Sequence, residues 1–323
     1  MMKKTLVALA AVAVTTGAFA QATMTGAVGV GYSSTISTAN ALASGMGVDD
    51  ASANFAISEA IEGVGKLSAK FGVYAGASGE ASNGNDMAIT ITNASGVSFK
   101  VDSSKGASYL TQGVASAGTA YQWDLSGKLF STRTRNETVS VGIPLAEGLA
   151  LTLAHTEGSN ATTGYGVGAG AAGTTAQRYN NAALNYAAGA LVVNGQFRSF
   201  DSQTVNSSST SASRTRGAAS YDLGVAKVGA GFEQTIYTYG NKLTDTLVGV
   251  NVPAGALNIG AQIASRSATD NSSSSSNYDR AGYLLVANYA LSKRTYVVAN
   301  YYSYDGGTTI NGSGYGLFLY NSF

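Results

Sequence analysis

Few side chains in this sequence combine the types and spacing that catalysis or metal binding requires. His155 is the only histidine, and no serine or acidic partner is specified for it, although a serine hydrolase needs a nucleophile and a base within hydrogen-bonding reach. Asp49 and Asp50 are adjacent carboxylates near an expected strand start, but calcium takes about six to eight oxygen ligands. We therefore predict no enzymatic activity, no metal and no cofactor; a Ser/His lipase and a calcium site at the two aspartates are the alternatives.

Other chemically suggestive motifs are equally sparse. The absence of cysteine excludes thiolate metal sites, thiol nucleophiles and disulfides. A Gly-x-Gly-x-Gly run begins at Gly164, but it lacks the strand-to-helix context of a nucleotide site, so we interpret it as a loop. Tyr121 and Trp123 flank Gln122 and could stack against a sugar; packing within a loop is the alternative.

The charge balance gives no indication of a nucleic-acid partner. The chain has 19 basic and 18 acidic residues, a formal charge of +1. Lys3 and Lys4, an apolar run and the small-residue end at 18–20 form the pattern of an export signal, so we expect cleavage before Gln21. Removing the two lysines leaves 17 basic against 18 acidic residues, a charge of −1. Binding to nucleic acid is not expected of such a chain.

After residue 20 the sequence alternates apolar residues with small or polar ones in about sixteen stretches, which is the periodicity of two-faced strands. We predict strands near 22–32, 50–60, 64–76, 87–93, 96–102, 134–144, 148–156, 178–187, 190–200, 214–222, 225–238, 243–252, 256–266, 280–290, 295–304 and 314–323. Short and long connections alternate between them. The long ones are expected at 33–49, 77–86, 103–133, 157–177, 201–213, 267–279 and 305–313, with a shorter member near 239–242.

These features predict the fold. A strand with one apolar and one polar face suits a sheet between lipid and water, and a closed barrel leaves no unpaired edge in hydrocarbon. With only 11% charged residues, the chain is sparsely charged for a typical soluble protein. We predict an all-β, 16-stranded antiparallel transmembrane β-barrel, formed by residues 21–323 as a single domain, with short periplasmic turns and long external loops. A soluble β-sandwich, which also alternates, is the alternative.

Strand periodicity also assigns the charged residues to one face. In 256–266, for example, Ile259 and Ile263 alternate with Gln262 and Arg266. A basic residue facing lipid at mid-depth would cost about 2 to 4 kcal/mol, so the charged face is expected to line a pore. The basic residues predicted on this face are Lys66, Lys70, Lys100, Arg198, Arg214, Arg216, Lys227, Arg266 and Arg280, and the acidic ones are Asp102, Asp222, Glu233 and Asp245.

Several local motifs are similar to those of a known protein family. The segment Tyr289-Ala290-Leu291-Ser292-Lys293-Arg294-Thr295 is similar to the Tyr-x-Leu-Ser-Lys-Arg-Thr turn of the Gram-negative general-diffusion porins, especially the betaproteobacterial branch. The run from Ser58 to Ile61, with Gly63 and Gly65, resembles an early turn of the family, and Asn136, Val139, Pro144 and Gly148 resemble its Asn-x-Val…Pro…Gly stretch. The terminal Phe323, after an alternating strand, looks like the signal that the barrel-assembly machinery recognises.

The resemblance implies a homotrimer in outer-membrane lipid, located in the outer membrane of a Gram-negative bacterium. It also implies that the third external loop, 103–133, folds into the lumen and constricts the pore. The residues expected at that constriction are Lys105, Tyr121, Trp123, Asp124 and Lys128. Two features depart from the family pattern: Ser140 stands where the family commonly has a basic residue, and the loop is not acidic.

The predicted function is passive diffusion of small hydrophilic solutes and ions through a water-filled channel. Nine basic against four acidic inward residues predict a mild preference for anions. Two other functions remain open: a structural or adhesive surface barrel with a plugged lumen, and a substrate-specific channel with an aromatic track.

Overall fold

The computed structural model describes most of the chain after the expected export signal. The described residues are 21–37, 40–74, 83–84, 86–105, 107–119, 125, 129–130, 136–158, 178–201, 211–270, 277–305 and 312–323. Residues 1–20, predicted to be the export signal, lie outside this set. Within the described ranges, no helix is long and apolar enough to cross a membrane.

Strand dominates the described residues, which contain one short 3-10 helix at Val114–Ser116. The strands are β1 (Gln21–Ser37), β2 (Asn40–Ile61), β3 (Gly65–Tyr74), β4 (Asn83–Gly84), β5 (Met87–Thr92), β6 (Ser98–Ser104), β7 (Asn136–Ala146), β8 (Leu149–Gly158), β9 (Arg178–Ala188), β10 (Leu191–Asp201), β11 (Ser211–Asp222), β12 (Lys227–Tyr237), β13 (Lys242–Ala254), β14 (Leu257–Thr269), β15 (Tyr278–Ala290), β16 (Thr295–Tyr304) and β17 (Gly312–Ser322).

The strands form one closed antiparallel barrel. Consecutive strands pair around the sheet, and β1 pairs with both β2 and β17. The two-residue β4 and the longer β5 both pair with the same strand, β3, so together they occupy one position. The seventeen described segments therefore make sixteen positions around the barrel, as the sequence predicts. Closure leaves no edge strand whose backbone groups would lack partners.

Each strand has one face turned inward and one turned outward, because successive side chains point to opposite sides of a sheet. In β14, Ile263 is 69% exposed on the outer face, whereas its neighbour Gln262 is fully buried on the inner face. Leu285 on β15 is likewise exposed and Leu284 is buried. The observed alternation matches the predicted one, which confirms the predicted period of two in these strands.

The predicted long connection at 33–49 is wrong. β1 continues to Ser37 and β2 begins at Asn40, and the two strands stay paired over most of this length. A register shift between Gly29 and Val30 marks a β-bulge in the pair. Asp49 and Asp50, expected near a strand start, therefore lie inside β2 beside this bulge. The run 33–49 consists mostly of small and polar residues, with few exposed large apolar side chains such as Ile36, Met46 and Val48, and backbone pairing does not need a continuous apolar face.

The two chain-terminal strands close the barrel at one seam. The Gly26 N–H donates to the Phe323 carbonyl oxygen at 3.1 Å, and the Phe323 N–H donates to the Gly26 carbonyl at 3.0 Å. This seam lies at the end of the barrel where the short turns are found, such as 62–64 and 291–294. We call it the short-turn end, and the opposite one the long-connection end.

Candidate functional site

Residues 107–119, here called the inserted segment, lie inside the barrel against the inner face of β10 to β14. The Tyr109 hydroxyl donates to the carbonyl oxygen of Asn194 at 3.2 Å, and the Thr119 hydroxyl donates to that of Val250 at 2.8 Å. Burial raises the pKa of Tyr109 to about 12, so its hydroxyl remains a donor at neutral pH. The segment is thus fastened to the wall at both of its ends.

Gln262 on β14 adds a further attachment of the inserted segment to the wall. Its fully buried amide nitrogen Nε2 donates to the carbonyl oxygens of Thr111 at 2.9 Å and Thr119 at 3.2 Å. Backbone groups of a loop inside a barrel need such partners, because an unsatisfied buried carbonyl costs free energy. One side chain on β14 therefore holds two points of the inserted segment.

Glycines on the wall allow the inserted segment to approach closely. A Cβ at Gly249 would lie 2.6 Å from the carbonyl oxygen of Ala115, and one at Gly229 would lie 2.7 Å from the same atom. Any larger residue at either position would push the 3-10 helix toward the centre of the barrel. The absence of side chains at Gly229 on β12 and Gly249 on β13 therefore lets the backbone of the 3-10 helix contact the wall directly.

Apolar side chains complete the contact between this loop and the wall. The loop contributes Leu110, Ala115, Leu125, Leu129 and Phe130, and the wall contributes Ala218, Leu247, Ala264, Leu284 and Tyr302. The leucines at 125, 129, 247 and 284 are each at most 1% exposed. Burying a leucine contributes about 1.5 to 3 kcal/mol, so the packing adds a large stabilising term to the hydrogen bonds.

A cavity of about 350 Å³ remains between the inserted segment and the facing wall. Its lining comes from strands β6 to β13 together with residues of the loop, so it lies in the lumen. The charged side chains that line it are Lys100, Asp102, Lys105, Arg198, Arg214, Arg216, Glu233 and Asp245. The lumen is therefore narrowed on one side and strongly charged beside the narrowing.

Strand register places all thirteen predicted charged residues on the inward face, in three groups. The first, here called the charged arc, runs across β10 to β15 toward the long-connection end and consists of Arg198, Arg214, Arg216, Glu233, Asp245, Arg266 and Arg280. The second comprises Lys66, Lys70 and Lys100 with Asp102, on β3 and β6. The third is Asp222 and Lys227, which lie opposite each other in the β11–β12 register at the short-turn end.

The centre of the charged arc is held by ion pairs. Arg266 donates from Nε to Asp245 Oδ1 at 2.6 Å and from Nη2 to Asp245 Oδ2 at 2.7 Å. Arg216 donates from Nε to Glu233 Oε2 at 2.5 Å, while Arg214 Nε lies 3.5 Å from Glu233 Oε1. Two-point contacts between arginine and carboxylate fix both partners in orientation. The arc is accordingly a preorganised array of charge.

Arg198 and Arg280, at the two ends of the arc, form no ion pair with a carboxylate among the described residues. Arg198 pairs in register with Arg214, and Arg280 pairs with Arg266. Each has a buried Nε atom with no hydrogen-bond partner among the described residues. Each guanidinium instead stacks on a tyrosine, Arg198 on Tyr179 at 4.5 Å and Arg280 on Tyr278 at 4.0 Å. With five arginines and two carboxylates, the arc has a formal charge of +3.

The lysines at 66, 70 and 100 line a second inner cavity of about 310 Å³, together with Ser58, Ser68 and Thr90. Lys100 also lines the first cavity, so the two regions adjoin at this residue. Its Nζ lies 2.9 Å from Asp102 Oδ1, and the lysine side chain is 39% exposed. Basic groups thus continue from the charged arc toward the short-turn end.

Of the residues predicted at the constriction, only Lys105 is described. It is exposed beside the first cavity, and its backbone N–H donates to Asp86 Oδ1 at 2.8 Å. Tyr121, Trp123, Asp124 and Lys128 lie outside the described residues. The aromatic platform therefore stays a prediction.

Two acidic residues on the inward face were missed by the sequence analysis. Asp50 pairs in register with Gly29 on the inward side of β1, and the Asp49 carboxylate accepts a hydrogen bond from the hydroxyl of inward-facing Tyr320. The Tyr74 hydroxyl also contacts Asp49, because it donates a hydrogen bond to the backbone carbonyl oxygen of Asp49 at 3.1 Å. Adding both aspartates makes six acids against nine basic residues in this set.

His155 lies on the outer face, away from both inner cavities. Its Nδ1 is 2.9 Å from Asn180 Oδ1, and its Nε2 is 4.0 Å from Glu157 Oε1. In the part of the chain that the structure describes, no group of three or more His, Cys, Asp or Glu side chains is placed to hold a metal ion.

Comparisons with known proteins place this geometry in context. A family model described as Gram-negative porin matches residues 6–309. A search of curated protein sequences finds no significant match.

Similar solved structures include a loop L8 deletion mutant of OmpT, an outer membrane protein of Vibrio cholerae. Its TM-score is 0.67, and it is 14% identical over 94% of this chain and 99% of that one. An anion-selective porin from Comamonas acidovorans has a TM-score of 0.66 and 15% identity over 94% and 100%. In-vitro folded OmpT of Vibrio cholerae, described as a trimer form, has a TM-score of 0.66 and 10% identity over 94% and 99%.

Proposed function

The chain belongs to the Gram-negative porin family and is an outer-membrane channel, and from this premise we propose that it lets small hydrophilic solutes and ions diffuse passively, with a mild preference for anions. The observation that supports the proposal most strongly is the arrangement of an excess of basic residues on the inward face. A 16-stranded barrel is wide enough to hold water, and the charges that line a pore bias which ions enter.

The distribution of these charges supports anion preference more than their number does. Three of the six inward acids, Asp102, Glu233 and Asp245, are each paired with a lysine or arginine. Arg198, Lys66 and Lys70 line the two cavities, and among the described residues none of the three forms an ion pair. Their fields reach about 8 to 10 Å at about 0.1 to 0.15 M salt, so they act on ions that pass through the cavities they line.

We further propose that the inserted segment sets the narrowest part of this channel. It occupies the side of the lumen next to β10 to β14, and the first cavity is the space left beside it. Lys105 then stands at the edge of the passage. Tyr121, Trp123, Asp124 and Lys128 belong to the same connection and remain expected contributors.

No enzymatic activity is proposed for the chain. His155 faces outward and contacts an asparagine, so it has no access to solutes in the lumen. The proposed partners are outer-membrane lipid on the outer face and two further copies of the chain in a homotrimer. The trimer form described for Vibrio cholerae OmpT is consistent with that assembly. Phe323, at the barrel seam, is proposed as the signal for the barrel-assembly machinery.

Single-channel recording tests the proposed function. The purified protein in a planar lipid bilayer should open a steady conductance that rises in proportion to KCl concentration, because ions move in bulk-like water. A barrel with a plugged lumen would give no steady current. A substrate-specific channel would give a current that a single solute blocks at saturation, while unrelated solutes of equal size leave it unchanged.

A charge placed on the outer face at mid-depth should destabilise the barrel. Leu285→Arg lies midway along β15 on the face assigned to lipid, and an arginine there is expected to lower the free energy of unfolding by about 2 to 4 kcal/mol. The matched control is Leu291→Arg in the turn 291–294, where the cost near the interface should be about 0 to 1 kcal/mol. Urea unfolding of the protein folded into lipid vesicles measures both. Equal stability of the two variants would contradict the lipid-facing assignment.

A further inference from the structure

We propose that Arg198, Arg214 and Arg216 form a binding subsite for a small dianionic oxyanion, such as inorganic phosphate or the phosphate group of a solute. The subsite lies in the 350 Å³ cavity beside the inserted segment. This inference rests on the proposed function, because a solute reaches the cavity only through an open lumen. It goes beyond a general anion preference in naming a place and a ligand class.

The three guanidinium groups are brought together by strand register. Arg198 on β10 pairs directly with Arg214 on β11, and Arg216 is the next inward residue along β11. All three line the same cavity. Three like charges at this spacing repel one another unless anionic groups lie among them.

Among the described residues, Glu233 is the one carboxylate that contacts this group of arginines, and it contacts two of them. Glu233 accepts from Arg216 Nε at 2.5 Å and lies 3.5 Å from Arg214 Nε. The remaining acids that line the cavity have other partners: Asp102 lies 2.9 Å from Lys100, and Asp245 is held at two points by Arg266. Three arginines less one glutamate leave a formal charge of +2 at the subsite.

Arg198 is the group with the largest unused donor capacity. Its buried Nε has no hydrogen-bond partner among the described residues, and a guanidinium has five N–H donors. Leaving such a donor unpaired in a buried position is costly. An oxyanion in the cavity would accept from the guanidinium N–H groups of Arg198 that line it and would offset the positive charge of this buried side chain.

Aromatic and amide contacts hold the three groups in place before any ligand arrives. Arg198 stacks on Tyr179 at 4.5 Å, and Arg216 stacks on Tyr109 of the inserted segment at 4.9 Å. Arg216 also donates from Nη1 to Gln196 Oε1 at 2.9 Å. Donors that are already oriented lose little conformational entropy on binding. The subsite is therefore preorganised.

The chemistry of the ligand follows from charge and shape. A phosphate group carries about −1.5 to −2 charges at pH 7 and several strong acceptor oxygens on one small centre, which matches a formal +2 on converging guanidinium groups. Arginine suits such ligands because its planar fork makes two parallel hydrogen bonds. A dicarboxylate of equal charge has its two anionic groups apart and fits one compact subsite less well.

The experiment measures how inorganic phosphate affects the chloride current through single channels in planar bilayers at pH 7 and constant KCl. Wild type should show a reduction that saturates as phosphate rises, with succinate reducing the current less at equal concentration. Arg198→Gln should raise the half-blocking phosphate concentration by about tenfold, since a hydrogen bond to a charged group is lost. Arg198→Lys should have a half-blocking phosphate concentration between those of wild type and Arg198→Gln, because lysine keeps the positive charge but lacks the planar two-point donor of a guanidinium.

Arg280→Gln is the matched control. Arg280 is the other end of the charged arc and also has a tyrosine partner and an unpaired Nε, but it is absent from the described lining of this cavity. The control should weaken anion preference while keeping the half-blocking phosphate concentration within about twofold of wild type. Equal loss of block in Arg198→Gln and Arg280→Gln would overturn the subsite in favour of a diffuse field.

The test separates this inference from the proposed function. A wild-type channel that prefers chloride over potassium but shows no saturable phosphate effect would overturn the subsite and leave the proposed function standing. A channel that prefers potassium would overturn the anion preference itself. Where Arg198→Gln fails to fold, the wild-type phosphate titration and Arg198→Lys still decide the matter.

Discussion

Replacing residues 107–119 with a short Gly-Ser linker is expected to raise single-channel conductance roughly twofold or more, because the narrowest cross-section limits ion flow. The inserted segment packs against five consecutive strands from β10 to β14, and the 350 Å³ cavity lies beside it. Without it, the lumen should widen toward that of an open 16-stranded barrel, narrowed only by what remains of the loop, such as Leu125, Leu129 and Phe130. Planar-bilayer recording in KCl, beside wild type, gives the comparison.

Point variants distinguish a displaced loop from a damaged barrel. Gly249→Val should push the 3-10 helix toward the lumen, since even a Cβ would lie 2.6 Å from the Ala115 carbonyl oxygen. Its conductance should fall, in the opposite direction from the replacement. Gly195→Val is the control, because a Cβ there meets nothing within 4 Å. An unchanged conductance after the replacement would contradict the role given to the inserted segment.

Asp245→Ala is expected to lower the free energy of unfolding by about 3 to 5 kcal/mol, the usual cost of leaving a buried charge without its partner. Arg266 would lose both of its hydrogen bonds to the carboxylate, and its side chain is only 10% exposed. Arg280 pairs with it in register, so two arginines would then face each other without the Asp245 carboxylate beside them. Urea unfolding in lipid vesicles, followed by circular dichroism, measures the loss.

Two controls bracket the Asp245→Ala result. Lys100→Gln breaks a pair whose lysine is 39% exposed, so it should cost at most about 1 kcal/mol. Asp245→Leu combined with Arg266→Met removes both charges and should recover much of the stability, because it leaves no buried ion alone. If Asp245→Ala lowered the free energy of unfolding no more than Lys100→Gln does, the claim that the buried Asp245–Arg266 pair stabilises the barrel wall would be contradicted.

The barrel could be predicted from the sequence because lipid imposes a strict rule on the outer face. Residues such as Ile263 and Leu285 must alternate with polar or small ones, and this period of two is visible without any knowledge of contacts. The same rule assigned Arg198 and Arg266 to the inward face. It failed at 33–49, where the extended pair of β1 and β2 continues through mostly small and polar residues.

The contacts inside the lumen could not be predicted, because they join residues far apart in the chain. Gln262 holds carbonyl groups 151 and 143 residues away, and no local pattern specifies such a pair. Two signals were present but were not used: leucines on the polar face, at 247 and 284, and glycines at 229 and 249. Apolar and Cβ-free positions on a wall otherwise facing water indicate a surface that another segment covers.

The direction of ion preference tests the central claim most directly. A planar bilayer containing the wild-type channel and separating two KCl concentrations at pH 7 develops a zero-current potential whose sign reports the faster ion. The excess of basic groups, nine against six acids in the inward set, predicts the sign of faster chloride. A potential of the opposite sign, from faster potassium, would contradict the account.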